Sequence, residues 1–172
     1  AKSLYLLAVK HDKGEGVPKN PGEAARLFRR SAELGYGPAQ YNLGQMYKLG
    51  DGVEKNDEEA TKWFYKAAEQ GVAEAQFMIG VRYLNGSGGL KSNGALAVEW
   101  LRKAASQGDA DSQNLLGVMY ANGEGVAKNS LEAVRWFRLA AEQGHTLAQA
   151  SLAFKYLKGE GTAFNEKEAF RW

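Results

Sequence analysis

The 172-residue chain contains no cysteine, which excludes disulfides and thiol chemistry but leaves the redox compartment open. Only two histidines occur, His11 and His145. They lie far apart, with no serine or carboxylate at catalytic spacing beside them, so the usual nucleophile–base pairings are missing. The carboxylates are scattered and form no ligand-spaced set, so no metal is expected. The glycine-rich stretches lack the preceding strand and the following Lys-Ser or Lys-Thr of a phosphate cradle. No enzyme activity, catalytic residue or cofactor is therefore expected. The 22 basic and 20 acidic residues nearly cancel to a net charge of +2, with no basic block of the kind that neutralises nucleic-acid phosphates. No run of 18 apolar residues exists, so membrane insertion is not expected. The first residues show no signal-peptide pattern, although a removed signal would leave no trace.

What is present is a repeat. Tryptophan stands at Trp63, Trp100, Trp136 and Trp172, at steps of 37, 36 and 36 residues. Glycine-rich loops recur with it, as Gly14-Glu15-Gly16-Val17, Gly50-Asp51-Gly52-Val53 and Gly123-Glu124-Gly125-Val126, and in altered form at Gly86 and Gly159. Each loop is followed by an asparagine (Asn20, Asn56, Asn93, Asn129, Asn165), and all but the third by a Glu-Ala pair. A period of this length marks a solenoid, in which each unit stacks only on its neighbours.

Local chemistry makes each unit a helix pair. Gln40, Leu43, Gly44 and Tyr47 fall on one helical face. Glycine inside that helix costs roughly 1 kcal/mol and implies a close backbone approach. Asn56 with Glu59, Asn129 with Glu132 and Asn165 with Glu168 read as capping boxes. Pro21 suits the first position of a helix, and Gly35, Gly71, Gly108 and Gly144 suit left-handed helix ends. The expected A helices are 3–13, 38–49, 74–85, 111–122 and 147–158, and the B helices 21–34, 57–70, 94–107, 130–143 and 166–172. The fold class is all-α, one array over 1–172 with units near 1–35, 36–71, 72–108, 109–144 and 145–172. The chain opens on a helix without a polar cap and stops at Trp172 within a B helix. A segment of a longer array is therefore expected, with uncapped ends that offer self-association. The repeated tyrosines and tryptophans are assigned to the core, and the repeated glutamines to backbone bonds inside each unit.

The succession Ala-Gln-x-x-Leu-Gly-x-x-Tyr, Gly-x-Gly-Val-x-x-Asn-x-x-Glu-Ala, Trp and Ala-Ala-Glu-Gln-Gly resembles the Sel1-like repeat family, relatives of the tetratricopeptide repeats. The resemblance covers nearly the whole chain. It implies a right-handed superhelix of helix pairs with the A helices on the concave side. It further implies an adaptor for other proteins in a bacterium, exported to the periplasm or beyond in preference to cytoplasmic. One branch of that family is cysteine-rich; this chain departs from it, and its third copy departs from the others by one extra loop residue and a lost capping glutamate.

Function must then lie in positions that differ between copies. On each A helix these form a stripe that the resemblance turns toward the groove: Tyr5, Val9 and Asp12; Tyr41, Gln45 and Lys48; Phe77, Val81 and Leu84; Asn114 and Val118 with Ala121; Phe154 and Leu157 with Ala150. Tyr5, Tyr41 and Phe77 make an aromatic ladder that either packs between helices or meets a partner. The leading reading is a scaffold that binds a partner protein or peptide in the groove. The alternative is a carbohydrate or cell-wall fragment stacked on the same aromatics, against which stand the apolar Val81, Leu84, Val118 and Leu157.

Overall fold

Asparagine side chains start every B helix. In the computed structural model, which describes residues 1–172, Asn20, Asn56, Asn93, Asn129 and Asn165 each accept a hydrogen bond from the backbone N–H three residues on, at 3.0–3.1 Å. These caps open α2 (Pro21–Glu33), α4 (Asp57–Glu69), α6 (Gly94–Ser106), α8 (Ser130–Glu142) and α10 (Glu166–Arg171). The reciprocal half of a capping box is absent. Each asparagine N–H donates instead to a carbonyl near the end of the preceding A helix, as Asn56 does to Tyr47 at 2.9 Å and Asn93 to Tyr83 at 2.7 Å. The glutamates are thereby free to pair with a cation one turn on: Glu23 with Arg26, Glu59 with Lys62, Glu132 with Arg135 and Glu168 with Arg171. The A helices are α1 (Lys2–Lys13), α3 (Gly37–Leu49), α5 (Ala73–Asn85), α7 (Ala110–Asn122) and α9 (Thr146–Lys158), each stopped by a glycine with φ between 65° and 81°. No strand is present, and the helices follow the expected bounds within about a residue or two.

Each helix packs on the one before and the one after it, which produces an α/α solenoid with four core clusters in series. The centre of each cluster is not the tryptophan but the residue after it. Phe28, Phe64, Leu101 and Phe137 are all but sealed from solvent, whereas Trp63, Trp136 and Trp172 are half-buried and only Trp100 is buried. The repeated tyrosines divide likewise, Tyr120 and Tyr156 buried, Tyr47 and Tyr83 half-buried. A plug ring fits because glycine faces it. A Cβ on Gly44 would lie 2.7 Å from the Phe64 ring, one on Gly80 2.7 Å from Leu101, and one on Gly117 2.6 Å from Phe137. The tryptophans flank these plugs, and lysine ammonium groups sit over two of them, Lys66 Nζ 4.3 Å from the Trp63 ring centre and Lys103 Nζ 4.0 Å from that of Trp100.

The glutamines join units rather than closing them. Gln40, Gln76, Gln113 and Gln149 each donate from Nε2 to a carbonyl at the end of the preceding B helix (Ala32, Ala68, Ala105, Ala141) at 3.0–3.2 Å. Three of them also accept from the glutamine that ends their own B helix: Gln70 to Gln40 at 2.6 Å, Gln107 to Gln76 and Gln143 to Gln113 at 2.8 Å. The expected bond within a unit is thus a bond across the seam. The reason is geometric, since the next A helix starts beside carbonyls at the end of its predecessor that lie outside the regular helical ladder and take only one further N–H, from the closing glycine.

Candidate functional site

The stripe on the A helices can be placed residue by residue. Tyr5 leans on its unit's plug, Phe28, at 5.7 Å between ring centres, and on Tyr36 at 5.1 Å. Tyr41 leans on Phe64 at 5.7 Å, and Phe77 packs against the cluster around Leu101. The ladder is therefore half-buried, its rings packed against the core clusters. Val9, Asp12, Gln45, Lys48, Val81, Leu84, Asn114 and Val118 are half-buried too, while Phe154 and Leu157 are 53% and 47% exposed.

Two clefts open between neighbouring A helices, and they draw different residues together. Between α1 and α3, about 140 Å³ is lined by Asp12, Phe28, Asn42, Gln45, Met46, Leu49 and Asp51. Between α7 and α9, about 380 Å³ is lined by Val118, Ala121, Asn122, Phe137, Ala150, Ser151, Phe154 and Lys155. In both, a phenylalanine plug forms part of the wall and consecutive A helices supply the rest. Asn42 and Ser151, at matching positions, were missed by the sequence reading. Asn42, Gln45 and Leu49 run at steps of three and four, so helical spacing alone could have added that second column.

The polar chemistry of the groove is sparse and specific. Gln45 Nε2 donates to the Tyr41 hydroxyl at 3.0 Å, while its Oε1 is buried with no donor. Asn114 Oδ1 is likewise buried and unpaired. Burial pushes the Tyr41 phenol above its ordinary range, opposed by the Gln45 amide and reinforced by the negative charges of Glu74 and Asp109. Asp109 caps α7 by accepting from Ser112 N at 2.7 Å, and His145 caps α9 through Nδ1 while its Nε2 lies 3.1 Å from Asp111. His145 is thus held in a capping role, and His11 sits in the tyrosine column with a buried Nδ1 that has no partner. No three His, Asp or Glu side chains gather as a metal site. No helix is long and apolar enough to cross a membrane.

A stack of helix pairs whose variable residues gather between A helices defines a helical-repeat solenoid with a side-chain-lined groove. The Sel1 repeat model matches residues 1–36, 37–72, 73–109, 110–145 and 146–172, so the chain belongs to the Sel1 repeat family. Among solved structures it is similar to a protective antigen of uropathogenic Escherichia coli, at 38% identity and a TM-score of 0.93 over 98% of this chain and 36% of that one. It is similar as well to a Sel1 repeat protein from Oxalobacter formigenes, at 37% identity and 0.94 over 99% and 70%. Helicobacter pylori cysteine-rich protein B follows at 25% identity and 0.59 over 76% and 92%. The chain spans about a third of the length of the E. coli antigen. No protein of curated function matches it.

Proposed function

We propose that the chain is an interaction scaffold that holds a segment of a partner protein in the groove formed by its A helices. The observation that carries this reading is the pairing of half-buried aromatics with buried, unpaired carbonyl oxygens on one face. Tyr41 and Phe77 offer rigid apolar area, and Gln45 and Asn114 offer acceptors that a polypeptide N–H can fill. Family membership supports the same reading, since Sel1 repeats commonly serve as scaffolds and the fold is generally non-catalytic. Likeness to a protective antigen supports an exported location in a bacterium, periplasmic or secreted. Fractionation of cells making the natural protein tests that location, and a purely cytoplasmic signal rejects it.

The groove is tested by capture of partners with the full chain and with Tyr41→Ala and Phe77→Ala. Loss of a captured partner, with helical melting still cooperative, supports the groove. Unchanged capture moves the site to the outer helices or the loops.

A further inference from the structure

The two clefts of the groove have opposite chemistry although the repeat builds them alike. The α1–α3 cleft holds two carboxylates, Asp12 and Asp51, and the unpaired Gln45 Oε1, over an apolar wall from Phe28, Met46 and Leu49. Neither carboxylate forms an ion pair. Lys48 on the same helix exerts its field on Asp57. At about 140 Å³ the cleft is well below the roughly 300–1,000 Å³ of a small-molecule site and has room for one side chain. The α7–α9 cleft is larger, at about 380 Å³, and mostly apolar through Val118, Ala121, Phe137, Ala150 and Phe154, with its single cation, Lys155, tied to Glu160 at 2.6 Å.

Resting on the groove reading above, we propose that the partner is an extended segment carrying a lysine or arginine for the α1–α3 cleft and a bulky apolar residue for the α7–α9 cleft. The cation's stem lies along Met46 and Leu49 while its head meets Asp12, Asp51 and the Gln45 carbonyl, which supply the acceptors a buried cation requires. Three A-helix steps of about 8–10 Å separate the clefts. An extended chain advancing about 3.3 Å per residue covers that distance in roughly eight residues. The intervening A helices carry the half-buried Tyr41 and Phe77.

The probes are labelled ten-residue peptides with a Ser/Thr spacer that place lysine and leucine eight positions apart, made in both orders, and their lysine-to-glutamate counterparts. Fluorescence anisotropy with the full chain should show one lysine peptide binding about tenfold more tightly than its glutamate counterpart, with the gap shrinking as salt rises. Asp12→Asn combined with Asp51→Asn should close most of the gap without lowering the melting temperature. Gln45→Met should weaken the lysine peptide a few-fold with little change in melting temperature, because it removes both an unpaired buried oxygen and the bond to the Tyr41 hydroxyl, which offset each other. The exposed Phe154→Ser should act on the leucine end alone.

Equal binding of lysine and glutamate peptides, a gap that survives the double asparagine change, or no saturable binding of any peptide overturns the proposal. Failure of the groove reading looks different. Peptides then bind, but Tyr41→Ala and Phe77→Ala leave every affinity unchanged.

Discussion

The junction between the second and third repeats and its counterparts elsewhere are built on one plan with different materials. At two of the three other junctions the A helix contributes a buried methionine, Met46 or Met119, and at the last it contributes Lys155, which reaches out to Glu160. At the odd one the same position is Arg82, whose side chain is only 5% exposed. Its guanidinium grips the carboxylate of Asp57 with two bonds of 2.9 and 2.6 Å, at a position filled by Pro21, Gly94 or Ser130 in other units. Thr61 replaces the Ala25, Val98 or Val134 of its column and donates to the Gly88 carbonyl at 2.7 Å. The loop with the extra residue thus lies over the ion pair, so close that a Cβ on Gly88 would sit 1.8 Å from an Arg82 nitrogen. In the regular loops Gly52, Gly125 and Gly161 instead abut the backbone at the first residue of the preceding B helix. One inserted residue, one arginine, one aspartate and one threonine therefore act as a set. A solenoid tolerates such a set because the change is confined to one seam.

The largest effect should come from breaking the set unevenly. Asp57→Ala leaves the Arg82 guanidinium enclosed without its counterion and should cost about 1–3 kcal/mol in denaturant unfolding, less than for a fully buried pair because the Asp57 side chain is 48% exposed. Arg82→Met installs the filling of the Met46 and Met119 junctions and should cost far less, or stabilise, since replacing an enclosed charge by apolar packing is often neutral or better. Equal losses from the two changes would show that the pair, rather than the stranded charge, sets the energy. Deleting Gly89 sharpens the contrast. Alone it drags the loop off Thr61 and Arg82; combined with Arg82→Met and Asp57→Gly it should cost at least about 1 kcal/mol less than additivity predicts.

Acid provides a third probe. The hydrogen bond from Arg82 holds the Asp57 carboxyl below the ordinary aspartate range, against the smaller opposing effect of burial. A depressed native value means the pair's stabilisation is complete above the unfolded aspartate value, near pH 3.9, and is lost as pH falls through the lower folded one. Unfolding followed between about pH 5 and 2 should show a steeper loss for the natural chain than for Arg82→Met. Parallel curves would exclude Asp57 as the source. The smallest effect concerns the surface, where the third unit lacks the Glu-to-cation pair of its siblings and has Leu96 followed by Glu99. Leu96→Glu alone should destabilise by a few tenths of a kcal/mol through like charge, and adding Glu99→Arg should reverse the sign, both read as small shifts of the unfolding midpoint.

These contrasts show which parts of the molecule a linear reading reaches. Caps, helix-ending glycines and the repeat period are local, so the ten helices and their bounds were legible, Asn56 and Gly71 being typical. The plugs were not singled out, because Trp63 is the conspicuous residue and Phe64 its plain neighbour, and only three-dimensional packing against Gly44 tells them apart. The Arg82–Asp57 pair spans 25 positions. No local rule joins them, since cations also stand at Lys10 and Lys155 and an acid at Glu166 in the matching columns. The A-helix stripe was legible as variation, but its chemistry was not. The meeting of Asp12 with Asp51 and Gln45 depends on how α1 faces α3.

The glutamine seam has a consequence for how such arrays change in length. Gln76 gives its amide protons to the unit behind and its oxygen to the end of its own B helix, and Gln40 and Gln113 do the same. All four seams therefore share one glutamine-to-carbonyl link, as railway cars share a coupling, and three add the glutamine pair. A unit bounded by regular seams can be copied, dropped or exchanged without redrawing its neighbours, whereas the Arg82–Asp57 set binds the second and third units together. The cleft residues on an A helix travel with it. Recombination between repeats then rearranges recognition chemistry in whole cars, and a tailored groove can be assembled by choosing their order.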